Sequence, residues 1–158
     1  MKWKPIKTVD WIIVHCAATM PSMDIGFVEI NKWHMAKGWF GIGYHYVIRR
    51  NGVIEKGRPE TRPGAHVRGL NEVSLGICLV GGSKEGDAHV AEENFTRQQM
   101  QSLESLIEEL EHRYPNAPVI GHRDVPNVSK ICPSFDVMGW YEDTFDRNQY
   151  HKKPGTYE

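Results

Sequence analysis

Val119-Ile120-Gly121-His122-Arg123-Asp124, running on to Lys130-Ile131-Cys132-Pro133-Ser134-Phe135-Asp136, decides how this chain is read. A short apolar run delivers an imidazole, His122, and a thiol, Cys132, follows ten residues later (132 − 122), with a lysine two places before it. A second apolar run, Trp11-Ile12-Ile13-Val14-His15-Cys16, ends in another imidazole. Two imidazoles and one thiolate can hold zinc and leave its fourth position to water, the layout of a hydrolytic metal site. Taken singly, each residue has a plainer reading. Most histidines bind no metal, and an intracellular cysteine is more often an inert buried thiol. The combination carries the signal.

Around that stretch, the composition narrows the class. A length of 158 residues suits one domain with one core. The 19 basic and 20 acidic residues nearly cancel, to a net charge of −1. That argues against a nucleic-acid binder driven by phosphate neutralisation. No apolar run approaches the ~20 residues that span a bilayer, so no membrane insertion is expected. The basic start, Met1 to Thr8, is followed by no long apolar segment and no small-residue cleavage site, so cytoplasmic synthesis without a signal peptide is expected. Three widely spaced cysteines without a CxxC fit a reducing compartment and no disulfide framework. Cys16 and Cys78 lie in strand-like runs and are expected to be buried structural thiols.

Taken in order, residues 10–17 read as a buried strand. Alternation puts Ile13, His15 and Ala17 on one face and Ile12, Val14 and Cys16 on the other. A helix is expected from about Asp24 to Lys37, with Trp33 and His34 packing and Gly38 as its C-terminal cap. Tyr44 to Arg50 reads as a strand. Asn51-Gly52 signals a two-residue hairpin and Val53 to Lys56 returns. Gly57 to Asn71 is a loop rich in Arg, Pro and Gly. Ser74 to Gly82 is a further buried strand, and Ser83 to Asn94 a polar loop. Thr96-Arg97-Gln98-Gln99 is a capping box opening a helix whose stripe is Met100, Leu103, Leu106, Ile107 and Leu110. Pro118 to Gly121 is a short strand, and a last helix is expected from about Phe135 to Phe145. The expected division is an N-terminal extension over 1–9, one domain over 10–146 and a polar tail over 147–158.

Five stretches together resemble the zinc N-acetylmuramoyl-L-alanine amidases, in particular the T7-type phage lysozyme and peptidoglycan-recognition branch. They are Val14 to Thr19, Gly41 to Ile48, Leu75 to Gly82, Gly121 to Asp124 and Lys130 to Asp136, in the same order over about residues 10–142. The resemblance implies an α/β fold: a single domain with a central mixed β-sheet flanked by helices and a zinc site in a groove on one face. The strand and helix order read above is compatible with it. The resemblance further implies one zinc per chain on His15, His122 and Cys132, and catalytic roles for Tyr44 and Lys130. The substrate implied is peptidoglycan, cut at the amide between the lactyl group of N-acetylmuramic acid and L-alanine. The segment from His122 to Cys132 is longer here than in the shortest relatives.

That chemistry needs these residue types. Zinc lowers the pKa of bound water from 15.7 toward about 7, and the oxyanion of the tetrahedral intermediate needs donors placed in advance. Lys130 can supply a charge there. Tyr44 can hydrogen-bond either the water or the oxyanion, and the sequence does not choose. His66, in Gly64-Ala65-His66-Val67, is a candidate substrate contact. Arg58, Arg62 and Arg68 are candidates for substrate carboxylates, although a solvated loop explains any one of them. Alternation turns His45 away from Tyr44, so it is taken as structural. Asp124 and Asp136 are the guessed partners of the ligating imidazoles.

The leading expectation is a bacteriolytic enzyme of phage or prophage type, an endolysin, which reaches the cell wall after release and works as a monomer. A non-catalytic peptidoglycan-binding module and a cytoplasmic muropeptide-recycling amidase stand as alternatives. Cys132 counts against both, because recognition members often lose that ligand and recycling relatives usually carry a carboxylate instead.

Overall fold

Two parallel pairings hold the middle of the molecule. Strand β1 (Trp11–Cys16) lies between β4 (Ser74–Leu79) and β7 (Val119–Gly121), parallel to both. Beyond β4 lies β2 (Tyr46–Ile48), also parallel, and β3 (Ile54–Lys56) pairs antiparallel with β2 at the edge. The sheet is therefore mixed, in the order β3-β2-β4-β1-β7. This computed structural model describes residues 3–128 and 131–146.

Both faces of the sheet are covered, so the inner strands are apolar on both sides, as parallel strands in α/β domains are. Ile12, Val14, Leu75, Ile77 and Leu79 face α2 (Arg97–Arg113), whose Leu103, Leu106, Ile107 and Leu110 are fully or almost fully buried. The short α3 (Val137–Tyr141) packs on the same cluster through Val137. On the opposite face, α1 (Phe27–Ala36) brings Ile30 against Val47, Cys78 and Val80. Beside it, Val67 of the long loop meets Ile13 and Ile120. The expected alternation of β1 holds over residues 12–14, since Ile12 and Val14 pack with one cluster and Ile13 with another.

The start of α2 doubles as a lock between strands. Thr96 Oγ1 accepts the Gln99 N–H at 3.1 Å, and Gln99 Oε1 accepts the Thr96 N–H at 2.9 Å, forming the expected capping box. The same hydroxyl donates to the Arg50 carbonyl. Gln99 is fully buried, and its amide donates to the carbonyls of Ile48 and Val80, one at the end of each neighbouring strand. Burying that amide is tolerable because its hydrogen bonds are made.

Several expectations are corrected. The hairpin loop has three residues, not two, because Arg49 N–H bonds to Val53 O around residues 50–52. Asn51 Oδ1 accepts the Val53 N–H, and Gly52 takes φ +88, the left-handed residue such a loop requires. Helix α1 starts at Phe27, later than Asp24. Its first turn is held by Glu29 on the Gly26 N–H and by Glu55 on the Phe27 N–H. Trp33 does not pack inside but is 42% exposed. The Ser83–Asn94 stretch forms an exposed hairpin, β5 (Ser83–Lys84) and β6 (Asp87–Ala91), turned at Gly86. The last helix is shorter than expected and continues as a π-helical turn, Glu142–Asp146. Ile6 and Val9 of the stretch before β1 pack against the core. The expected tail over 147–158 lies outside the described residues. No helix among the described residues is long and apolar enough to cross a membrane.

Removing the Thr96 hydroxyl takes away one cap acceptor and one strand-end donor. Thr96→Ala is expected to lower unfolding stability by about 1–2 kcal/mol, read as a lower urea midpoint with an unchanged m-value.

Candidate metal centre

The parallel register brings the two imidazoles together. Val14 is the last residue of β1 paired with β7, and its partner is Gly121. The next residue on each strand is His15 and His122. Neighbouring parallel strands lie about 4.8 Å apart, and residues at one level share a face. The two rings accordingly sit with centroids 4.5 Å apart. After His122 the chain makes a short 3₁₀ turn, His122–Asp124. The thiol then returns to β1: Arg123 N–H donates to the Cys132 carbonyl at 2.9 Å, and Cys16 N–H donates to Cys132 Sγ at 3.1 Å. One donor atom from each of His15, His122 and Cys132 lies within 4.8 Å of the others.

These residues floor a cleft of about 420 Å³ beneath α1 and the long loop. Its walls include Tyr44, His34, Trp39 and His66. Tyr44 lies against His15, with ring centroids 5.2 Å apart. His34 packs on Trp39 and accepts the Gly43 N–H on Nδ1 at 2.8 Å. His66 Nδ1 lies 2.8 Å from His15 Nε2, and its Nε2 lies 3.2 Å from Ser74 Oγ.

Burial sets the charge state of the cleft. It holds His15 well below the usual imidazole range, with the neighbouring His66 and His122 adding to the effect. It lowers His66 to about 3 and His34 to about 4, helped in each case by nearby cationic groups. Tyr44 is pushed well above the ordinary phenol value by burial and by the thiols of Cys78, Cys132 and Cys16. At neutral pH it is a hydrogen-bond donor. Cys16 and Cys132 hydrogen-bond each other, which draws Cys16 to about 7 and raises Cys132, with burial adding to the rise.

The donor set fits zinc. Two neutral imidazoles and a thiol are the ligand types of a site with three protein ligands and one open position. Tetrahedral bonds of about 2.0–2.3 Å place ligand atoms roughly 3.5 Å apart, a small contraction from the spacing present.

Other residues singled out in the sequence fall as follows. Lys130 lies outside the described residues. Arg58 is engaged internally, donating to the Ile42 and Pro63 carbonyls, and lies away from the cleft. Arg62 sits over the Trp3 ring. Arg68 is exposed and lines a shallow hollow that shares Trp39 and His66 with the cleft. His45 is buried and tied to backbone on both sides, through the Gly76 N–H and the Arg62 carbonyl, as its structural reading expects. Asp124 and Asp136 serve as caps on the Gly121 and Gly139 N–H groups, in place of the imidazole partnership guessed for them. Three contributors escaped sequence reasoning: Cys16 against Cys132, His34 in the cleft wall, and His66 as the partner of His15. Cys16 stands next to His15 in sequence, but alternation pointed it to the other face. For His34, helical spacing was already explained by packing.

Comparison with known proteins agrees with this architecture. Residues 5–135 match the family described as N-acetylmuramoyl-L-alanine amidase. The chain is 48% identical over 132 residues to the endolysin of Klebsiella phage KP32, covering 83% of this chain and 84% of that one. It is 44% identical over 142 residues to the endolysin of Escherichia phage T7, covering 90% and 91%. Among solved structures it resembles the N-acetylmuramoyl-L-alanine amidase LysC from Clostridium intestinale, with a TM-score of 0.74 and 27% identity over 92% of this chain and 95% of that one.

The low values of His34 and His66 carry a sign for stability. An unfolded histidine titrates near 6.5, so between that pH and about 4 for His34, or about 3 for His66, the unfolded chain binds protons that the folded chain refuses. Metal-free protein is expected to hold its urea midpoint above pH ~6.5 and lose it progressively as the pH falls. His66→Asn is expected to flatten that slope.

Proposed function

The chain belongs to the N-acetylmuramoyl-L-alanine amidase family, and on that premise we propose that it holds one zinc on His15, His122 and Cys132 and cuts peptidoglycan at the amide between the lactyl group of N-acetylmuramic acid and L-alanine. The observation that carries the reading is the convergence of those three donor atoms within 4.8 Å at the floor of an open cleft. Similarity to phage endolysins over most of both chains supports a lytic role, with the cell wall reached after release.

Zinc, when bound, supplies Lewis acidity and a water of lowered pKa. The protein's own groups do the rest. Tyr44, protonated at neutral pH and packed on His15, donates a hydrogen bond to the scissile carbonyl oxygen as it gains charge. Its raised pKa favours that role over acting as a base. Lys130 is assigned the cationic partner of the same oxygen on its sequence position alone, two residues before Cys132. Arg68, exposed beside Trp39 and His66, offers its guanidinium to a carboxylate of the stem peptide.

Purified peptidoglycan treated with the protein is expected to release stem peptides with free L-alanine amino termini, to stop doing so in chelator, and to resume on addition of zinc. Cleavage that persists in chelator removes the metal from the mechanism. Wall binding without cleavage would leave a recognition module, and cleavage of soluble muropeptides but not intact sacculi would leave a recycling enzyme. Metal analysis is expected to find about one zinc per chain in the wild type and less in Cys132→Ser, since a hydroxyl is a poor substitute for thiolate. Tyr44→Phe is expected to keep its zinc and lose about 100–1,000-fold in rate.

A further inference from the structure

His66 has both ring nitrogens occupied inside the protein, which leaves neither for a substrate. Its partners form a chain that can be read from its far end. The Leu70 carbonyl can only accept, and Ser74 Oγ–H donates to it at 2.7 Å. The Ser74 proton is thereby committed, so Ser74 Oγ accepts from His66 Nε2 at 3.2 Å. A neutral imidazole protonated at Nε2 is bare at Nδ1. His66 Nδ1 therefore accepts from His15 Nε2 at 2.8 Å, and His15, protonated there, is bare at Nδ1.

We propose that His66 is a positioning residue for the metal centre: through the run Leu70–Ser74–His66–His15 it sets the tautomer of His15, so that Nδ1 is the nitrogen presented as ligand. The inference rests on the metal reading above. It differs from the substrate contact that the loop position of His66 first suggests.

The ring is held as a built part. A Cβ on Gly76 would stand 2.7 Å from His66 Cγ and Nδ1, and one on Gly64 2.5 Å from Cδ2, so two glycines clear the space the ring fills. Asn71 Oδ1 accepts both the His66 and Val67 N–H groups, at 2.8 and 2.9 Å, and fixes the backbone that carries it. Ser74 is the first residue of β4, the strand paired with β1, so the run passes from one strand to its neighbour. A ligating imidazole whose second N–H has a fixed acceptor binds metal more tightly. In this protein that acceptor is a third imidazole, where a carboxylate or carbonyl is more usual.

Two measurements test the proposal. In metal-free wild-type protein at neutral pH, nitrogen-15 long-range correlation spectra are expected to show His15 and His66 both as the Nε2–H tautomer. His15 found as Nδ1–H overturns the proposal. Zinc affinity, read by competition with a chromophoric chelator, is expected to fall roughly 10–100-fold in His66→Phe and to recover largely in His66→Asn, whose amide oxygen stands near the Nδ1 position. Undiminished affinity in a folded His66→Phe, or equal loss in Asn and Phe, also overturns it. The spectra need neither a variant nor a metal. If the wild type takes up no zinc, the metal reading fails on that observation and the tautomers still decide the relay.

Discussion

The structure depends on one pairing: β1 parallel to β7, in the register that sets Val14 against Gly121. Everything at the centre follows from where that ladder stops. One residue further along, each strand presents an imidazole to the same face, and the separation of the rings is essentially that of adjacent strands. A slip of one residue would turn one histidine to the opposite face, among the leucines and isoleucines under α2. Register is strongly specified here because both faces are buried. Ile12 and Val14 fit one cluster, while Ile13 and Ile120 fit another. The apolar packing of β1 is thus what aligns the polar centre.

The centre itself is an arrangement of neutral imidazoles and thiol groups in a partly buried cleft. Protonated imidazoles packed this closely would repel, and burial penalises each charge further. The balance favours neutral rings, the form in which a nitrogen lone pair is free. Each buried imidazole then needs a hydrogen-bond partner, and the network supplies one: His66 for His15, the Gly43 amide for His34, the Gly76 amide for His45. Tyr44 fits the same logic from the other side. Burial and nearby thiols keep its proton on, so the cleft holds a donor beside the candidate ligands.

The opposite face carries the stability. Helix α2 lays four buried aliphatic side chains on the sheet, and Gln99 joins the ends of β2 and β4 with its buried amide. That division leaves the cleft face free of a covering helix at its centre, where α1 and the loop wall the opening without closing it. The loop is the costlier element in conformational entropy. It is ordered by inward hydrogen bonds, including both Arg58 contacts to carbonyls and the Asn71 side chain under His66.

Local chemistry made much of this legible in the chain alone. The strand runs, the capping box at Thr96, the stripe of α2 and the ligand types at 15, 122 and 132 are all written in short-range pattern. The resemblance of the motifs to the amidases joined them into one site. What the sequence could not express were contacts between loops and strands far apart in the chain. The three-residue turn at Gly52 was settled by pairing of Arg49 with Val53, and the exposed hairpin at Ser83–Ala91 by strands too short and polar to announce themselves. Asp124 and Asp136 lie near the candidate ligands in sequence but cap backbone instead. By itself, then, the sequence determined which donors were available, which elements carried them and which family they resemble, because those depend on residue type and local period. Tertiary structure alone decided that His66 meets His15 across 51 residues and that Cys132 returns to Cys16 across 116. Those meetings depend on sheet register and loop closure, which no local stretch of chain encodes.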